Sequence, residues 1–118
     1  MQIESYRDLI VWQKAMELVV NVYTVTSKYP KSELFGLLSQ SRRCAVSIPS
    51  NIAEGRTRGS RKEFRQFLII AMSSGAELET QLELVRKLNF VTVDDLSNAY
   101  TLLLEIMKML NTMIRKLS

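Results

Sequence analysis

Apolar residues recur every three or four positions through almost the whole chain, and no stretch alternates as a strand would. Leu9, Trp12, Met16, Val19 and Tyr23 mark a first helix, and Leu34, Leu37, Leu38, Ser41, Ala45, Ile48 and Ile52 a second. A third follows from Phe64, Phe67, Leu68, Ala71, Gly75, Leu78, Leu82 and Val85, and a fourth from Leu96, Tyr100, Leu103, Met107, Leu110, Ile114 and Leu117.

Each segment opens on a hydroxyl residue that can accept from the free N–H groups of a helix start: Ser5 with Asp8, Ser32 beside Glu33, Ser60 with Glu63, and Thr92 with Asp95. Ser60 to Glu63 has the spacing of a full capping box. The breaks, at Tyr29 to Lys31, Arg58 to Gly59 and Asn89 to Val91, are short, so successive helices should run antiparallel. The expected fold is all-α, a single domain over residues 1–118 forming an up-down-up-down antiparallel four-helix bundle. Pro49 lacks the N–H that would bond the Ala45 carbonyl, yet Ala45, Ile48 and Ile52 keep one helical phase across it. A continuous second helix kinked at Pro49 and reaching Gly55 or beyond is therefore expected.

The first helix carries a second apolar line. Val11, Leu18, Val22 and Val25 fall nearly opposite Leu9, Met16 and Tyr23 on the helical wheel. With Leu9 and its phase turned inward, these four are the expected surface for self-association, helped by Ile69, Ile70, Leu84, Leu102, Leu104 and Met109 outside the main stripes of the later helices.

Charge adds a direction. The chain has 16 basic and 12 acidic residues, a net charge of +4. Between Arg42 and Arg65, seven basic residues, Arg42, Arg43, Arg56, Arg58, Arg61, Lys62 and Arg65, stand against Glu54 and Glu63 alone, so the whole excess is local. Clustered charge of this kind suits a polyanion, and these seven are the candidate nucleic-acid-binding residues. The chain has no histidine, which removes the usual general base and the commonest metal ligand, so a non-enzymatic protein without cofactor or metal is expected. One cysteine, Cys44, cannot form an internal disulfide, MQIES does not resemble a signal peptide, and the longest apolar run, Phe67 to Met72, is far too short to span a bilayer. A cytoplasmic protein without a membrane partner is expected.

The remaining candidates have plain structural readings. Trp12 reads as core, Cys44 as a small buried residue, and Glu77, Glu79 and Glu83 as a solvated acidic face. Arg43, Ser47, Asn51 and Glu54 line one polar stripe of the second helix, leading toward Arg56 and Arg58.

Four ordered blocks, Leu9 to Ala15 (LIVWQKA), Tyr29 to Arg43 (YPKSELFGLLSQSRR), Ser47 to Gly55 (SIPSNIAEG) and Ala76 to Glu83 (AELETQLE), resemble the bacterial four-helix-bundle family encoded in intervening sequences of 23S ribosomal RNA genes. That resemblance implies a ring-like homo-oligomer, a pentamer. More distantly the chain is similar to the accessory variability proteins of diversity-generating retroelements, which implies a basic surface for nucleic acid and a reverse transcriptase or other protein as partner. Two functions follow as expectations: a homo-oligomer that binds RNA or DNA, as an accessory ribonucleoprotein component, or a structural or adaptor oligomer that binds a protein and whose arginines lie in subunit contacts.

Overall fold

The computed structural model describes residues 5–118; the first four residues of MQIES, read above for a leader, lie outside them. A 3-10 turn, Tyr6–Asp8, leads into helix α1 (Ile10–Thr26); a second 3-10 turn, Lys31–Glu33, precedes α2 (Leu37–Arg58), and α3 (Arg61–Lys87) and α4 (Val93–Lys116) follow. The chain measures 44 × 24 × 21 Å, the long axis matching the roughly 40 Å expected of the 27-residue α3.

Packing is cyclic: α1 lies against α2 and α4, and α3 against α2 and α4. Paired residues run in opposite order across each seam. Cys44, Ser47 and Gly55 of α2 meet Gln81, Ser74 and Phe67 of α3; Lys14 and Lys28 of α1 reach Glu105 and Asp95 of α4. This is the up-down-up-down order expected from short connections.

The start signals hold at α3 and α4, while Ser5 caps the 3-10 turn ahead of α1, whose own start at Leu9 has no side-chain cap. Ser5 and Asp8 form a reciprocal capping box on the first 3-10 turn, and Thr92 and Asp95 form one on α4. At α3 the Ser60 hydroxyl accepts from the Glu63 N–H, but the Glu63 carboxylate bonds that hydroxyl rather than the Ser60 backbone, so the expected full box is half made. Ser32 does not start α2. Leu34 and Phe35 lie in the turn before it, and Glu33 Oε1 accepts from the Leu37 N–H at 3.1 Å, because a carboxylate four residues back can reach a helix start that Gly36 leaves without a side chain. The α3 end is a Schellman motif, in which Asn89 takes a positive φ of 61° while Phe90 N–H bonds Val85 O and Asn89 N–H bonds Arg86 O.

The α2 helix is continuous through Pro49, with Ala45, Ile48 and Ile52 all fully buried on one phase. Glycine makes the adjoining seams tight: a Cβ on Gly55 would lie 2.5 Å from Phe67 Cβ, and one on Gly75 would meet Met107 Sδ. Between them the Ser47 and Ser74 hydroxyls bond across α2 and α3 at 2.8 Å, and Asn51 Nδ2 donates to Ser47 O and Oγ. Of the polar stripe expected on α2, Ser47 thus bonds α3 and Asn51 bonds back to Ser47, while Arg43 and Glu54 are exposed.

The expected self-association surface is corrected. Val11, Leu18, Val22 and Val25 are 0–3% exposed and form the α1 contribution to the monomer's core, with Ala15 between them. The opposite band is the outer one: Met16 and Tyr23 are 44% and 43% exposed, and Trp12 and Val19 half-buried at the α2 seam. Small and β-branched residues allow α1 to sit close between α2 and α4, whereas Trp12, Met16 and Tyr23 are too bulky for that position and rest on its rim. Of the band expected to face inward, only Leu9 is buried.

Candidate nucleic-acid interface

The seven candidate cations divide between the two ends of the bundle. Arg42 and Arg56 are fourteen residues apart on α2, about 21 Å of helix. Arg42 lies beside the end of α1, where its Nε donates to Thr26 Oγ1 at 2.8 Å and its Nη2 to Tyr23 O at 3.4 Å, with the guanidinium carbon 4.3 Å from the Tyr23 ring centroid. It closes a helix C-terminus and is removed from the cluster. Arg43, one residue on, is exposed.

At the other end the turn between α2 and α3 is set by Gly59, whose φ of 89° ends α2 in a left-handed residue. The turn brings Arg56, Arg58, Arg61, Lys62 and Arg65 together. Arg58 is held by Glu54 at 2.9 Å and Glu63 at 3.5 Å, and its guanidinium lies over the Phe67 ring at 5.1 Å. Arg61 Nη2 donates to Lys116 O at 3.0 Å and Arg65 Nε to Ile114 O at 3.2 Å, so both close the carbonyl end of α4. Arg56 and Arg61 flank a small concavity of about 140 Å³ with Gly59, Ser60 and Phe64, and Lys62 is exposed on the first turn of α3.

These bonds reveal two cations that a window ending at Arg65 misses. Arg115 and Lys116, in the last turn of α4, are exposed at this same end. With Arg7 and Asp8 of the first 3-10 turn, which lie at the same end, eight basic side chains, Arg7, Arg56, Arg58, Arg61, Lys62, Arg65, Arg115 and Lys116, then stand against Asp8, Glu54 and Glu63 among the described residues. The sequence signal for Arg115 and Lys116 is the pairing of α3's start with the chain's end that any four-helix up-down bundle imposes.

The other candidates are placed as follows. Cys44 is buried, and its thiol is pushed up to about 11 by burial, with the Glu77 carboxylate beside it adding to the shift. Glu77 and Glu79 are exposed, whereas Glu83 accepts from Tyr100 OH at 2.8 Å and from Arg86 at 2.7 Å, which holds its carboxyl below the usual range, Arg86 being the larger cause. Trp12 is half-buried and packs against the edge of the core, stacking edge-on against Tyr6 at 5.3 Å with Arg7 above it at 5.8 Å. Among the described residues no helix is long and apolar enough to cross a membrane.

Known proteins place the fold. A crystal structure of a protein of unknown function from the S23 ribosomal protein family of Bacteroides thetaiotaomicron is similar, with a TM-score of 0.82 and 27% identity over 89% of this chain and 98% of that one. No curated protein matches the chain significantly. The model of the 23S rRNA-intervening sequence protein family matches residues 7–112, which takes in all four helices but the last turn of α4, and the chain belongs to that family.

Proposed function

We propose that the protein is a non-enzymatic, homo-oligomeric bundle that binds RNA or DNA through the end formed by the α2–α3 turn and the last turn of α4. The observation that carries this reading is the convergence there of eight cations on three acids among the described residues, from both ends and the middle of the chain. The hydrogen bonds to α4 suit this role. A guanidinium has five N–H donors, and each bond from Arg61 or Arg65 to a carbonyl uses one of them, fixing the cation in place while leaving others for phosphate. Copies repeated in an oligomer would act together through a high effective concentration.

The competing reading, an adaptor whose arginines pair with a neighbouring subunit, is weakened by the same contacts. Arg42, Arg58, Arg61 and Arg65 find their partners within their own chain.

Arg61 and Arg65 hold structure, so the clean test reverses the exposed cations instead. Lys62→Glu, Arg115→Glu and Lys116→Glu together should lower affinity for a labelled single-stranded RNA by about 100-fold at low salt, read by fluorescence anisotropy, with the helical circular dichroism unchanged. Unchanged affinity in a folded triple variant would refute the proposal.

A further inference from the structure

Beside the basic end, the outer seam of α1 and α2 opens into a hollow of about 330 Å³. Tyr6 and Trp12 line it on the α1 side, Val46, Pro49 and Ala53 on the α2 side, and Ser50 brings a hydroxyl to it. Among the described residues no acidic side chain lines it. Its volume stands at the lower limit of small-ligand sites, roughly 300 to 1,000 Å³.

Two features set this hollow apart from ordinary apolar packing. Its rings are not used up by the core: Tyr6 and Trp12 are each half-buried and meet edge to face, with 5.3 Å between centroids and 64° between planes, which leaves one ring with both faces clear of the other. A cation also stands on the same pair, the Arg7 guanidinium lying 5.6 Å from the Tyr6 ring centroid and 5.8 Å from that of Trp12. Arg7 is exposed and belongs to the basic end, and on the α2 side Ala53 precedes Arg56 by one helical turn. Cations from two elements thus flank an aromatic hollow, and a polyanion lying along them passes its mouth.

We infer that the hollow is a base-stacking subsite: it takes an unpaired base of single-stranded RNA or DNA against Tyr6 and Trp12, while Arg7 and Arg56 hold the flanking phosphates. This rests on nucleic acid binding by the basic end and adds the form of strand that is bound. A paired base is stacked between its neighbours in a duplex and does not enter, so a duplex is held by charge alone and a single strand by charge and stacking together. Every base has a π-face, so the subsite prefers single strands without preferring a sequence.

Trp12 is the chain's one tryptophan, so its emission reports on the hollow. Titrated at low salt, a short oligothymidylate should quench that emission and bind about tenfold more tightly than an abasic DNA strand of the same length, which carries the same phosphates without bases. Tyr6→Ala removes one wall, and Ser50→Leu fills the mouth from an exposed position on α2. In each variant, with circular dichroism showing the fold retained, the preference should fall to about twofold or less. Equal affinity of the parent for the two strands, or a preference that survives both substitutions, would overturn the base subsite while leaving charge-driven binding by the basic end intact. Binding of neither strand would refute the proposed function itself, and the subsite with it.

Discussion

Both ends of the bundle use arginine to close a helix C-terminus, yet only one end has charge to spare. At the α1–α2 end, Arg42 bonds Tyr23 O and Thr26 Oγ1, while Lys28, Lys31, Arg43, Arg86 and Lys87 are matched in number by Glu33, Glu77, Glu83, Asp94 and Asp95. Several of these are tied together: Lys28 to Asp95 at 2.7 Å, and Glu83 to both Arg86 and Tyr100. At the other end Arg61 and Arg65 close α4, and with Arg7 and Asp8 of the first 3-10 turn included the cations outnumber the acids eight to three among the described residues. A capping arginine by itself is a structural device. What distinguishes a surface fit for phosphate is the positive charge in excess of its caps and ion pairs.

That contrast predicts effects of decreasing size. Lys62→Glu with Arg115→Glu should weaken RNA binding at least about 30-fold, whereas Lys31→Glu with Lys87→Glu, the same change at the balanced end, should alter it less than about threefold in the same titration. Equal losses would erase the distinction between the ends.

The tight seams near the basic end and the middle of the bundle should differ in the cost of a methyl group. Gly55→Ala forces a Cβ against the Cβ of Phe67, an atom fixed to the α3 backbone, so the helices must part; a destabilisation of about 2 to 3 kcal/mol is expected in urea unfolding. At Gly75 the obstacle is the flexible end of Met107, and alanine improves helix propensity by about 1 kcal/mol, so Gly75→Ala should change stability by less than about 1 kcal/mol.

The two caps themselves should rank by what they bond. Arg42→Ala removes two hydrogen bonds and the stacking on Tyr23 and should cost about 1 to 2 kcal/mol, while Arg65→Ala removes one bond to a helix-end carbonyl and should cost about 0.5 to 1 kcal/mol.

Acid should act first on the balanced end. The Lys28 ammonium, with the Thr92 backbone and hydroxyl, holds the Asp95 carboxyl down to about 2. A depressed folded pKa contributes stability that is full above the unfolded value, about 3.9, and is lost as pH falls toward about 2. Asp95→Asn should therefore flatten the melting temperature across that window and leave the difference between the proteins largest near neutral pH.

The fold is legible in the sequence because long amphipathic helices with short breaks leave few alternatives, and Thr92 with Asp95 or Asn89 before Phe90 mark real ends. The orientation of α1 is not. It carries two apolar bands, and the choice between them depends on size: Val11, Ala15, Leu18 and Val22 fit between two neighbours, while Trp12, Met16 and Tyr23 do not. Weighting the larger residues as core turns the helix inside out. The start of α2 escapes a sequence reading because Glu33 reaches forward across Gly36, a bond no local capping pattern describes. At the site, the cluster after Gly59 is visible as a run of charge, but its division is not: Arg42 belongs to α1's end, and Arg115 and Lys116 join only through the return of α4.

The salt dependence of RNA binding tests the central claim most directly. Plotting log Kd against log salt for the parent and for the Lys62→Glu, Arg115→Glu, Lys116→Glu variant, the basic end predicts a steep parental slope that falls by about 2 to 3 in the variant, one step for each phosphate no longer neutralised. Two parallel lines, or a parental affinity indifferent to salt, would contradict it.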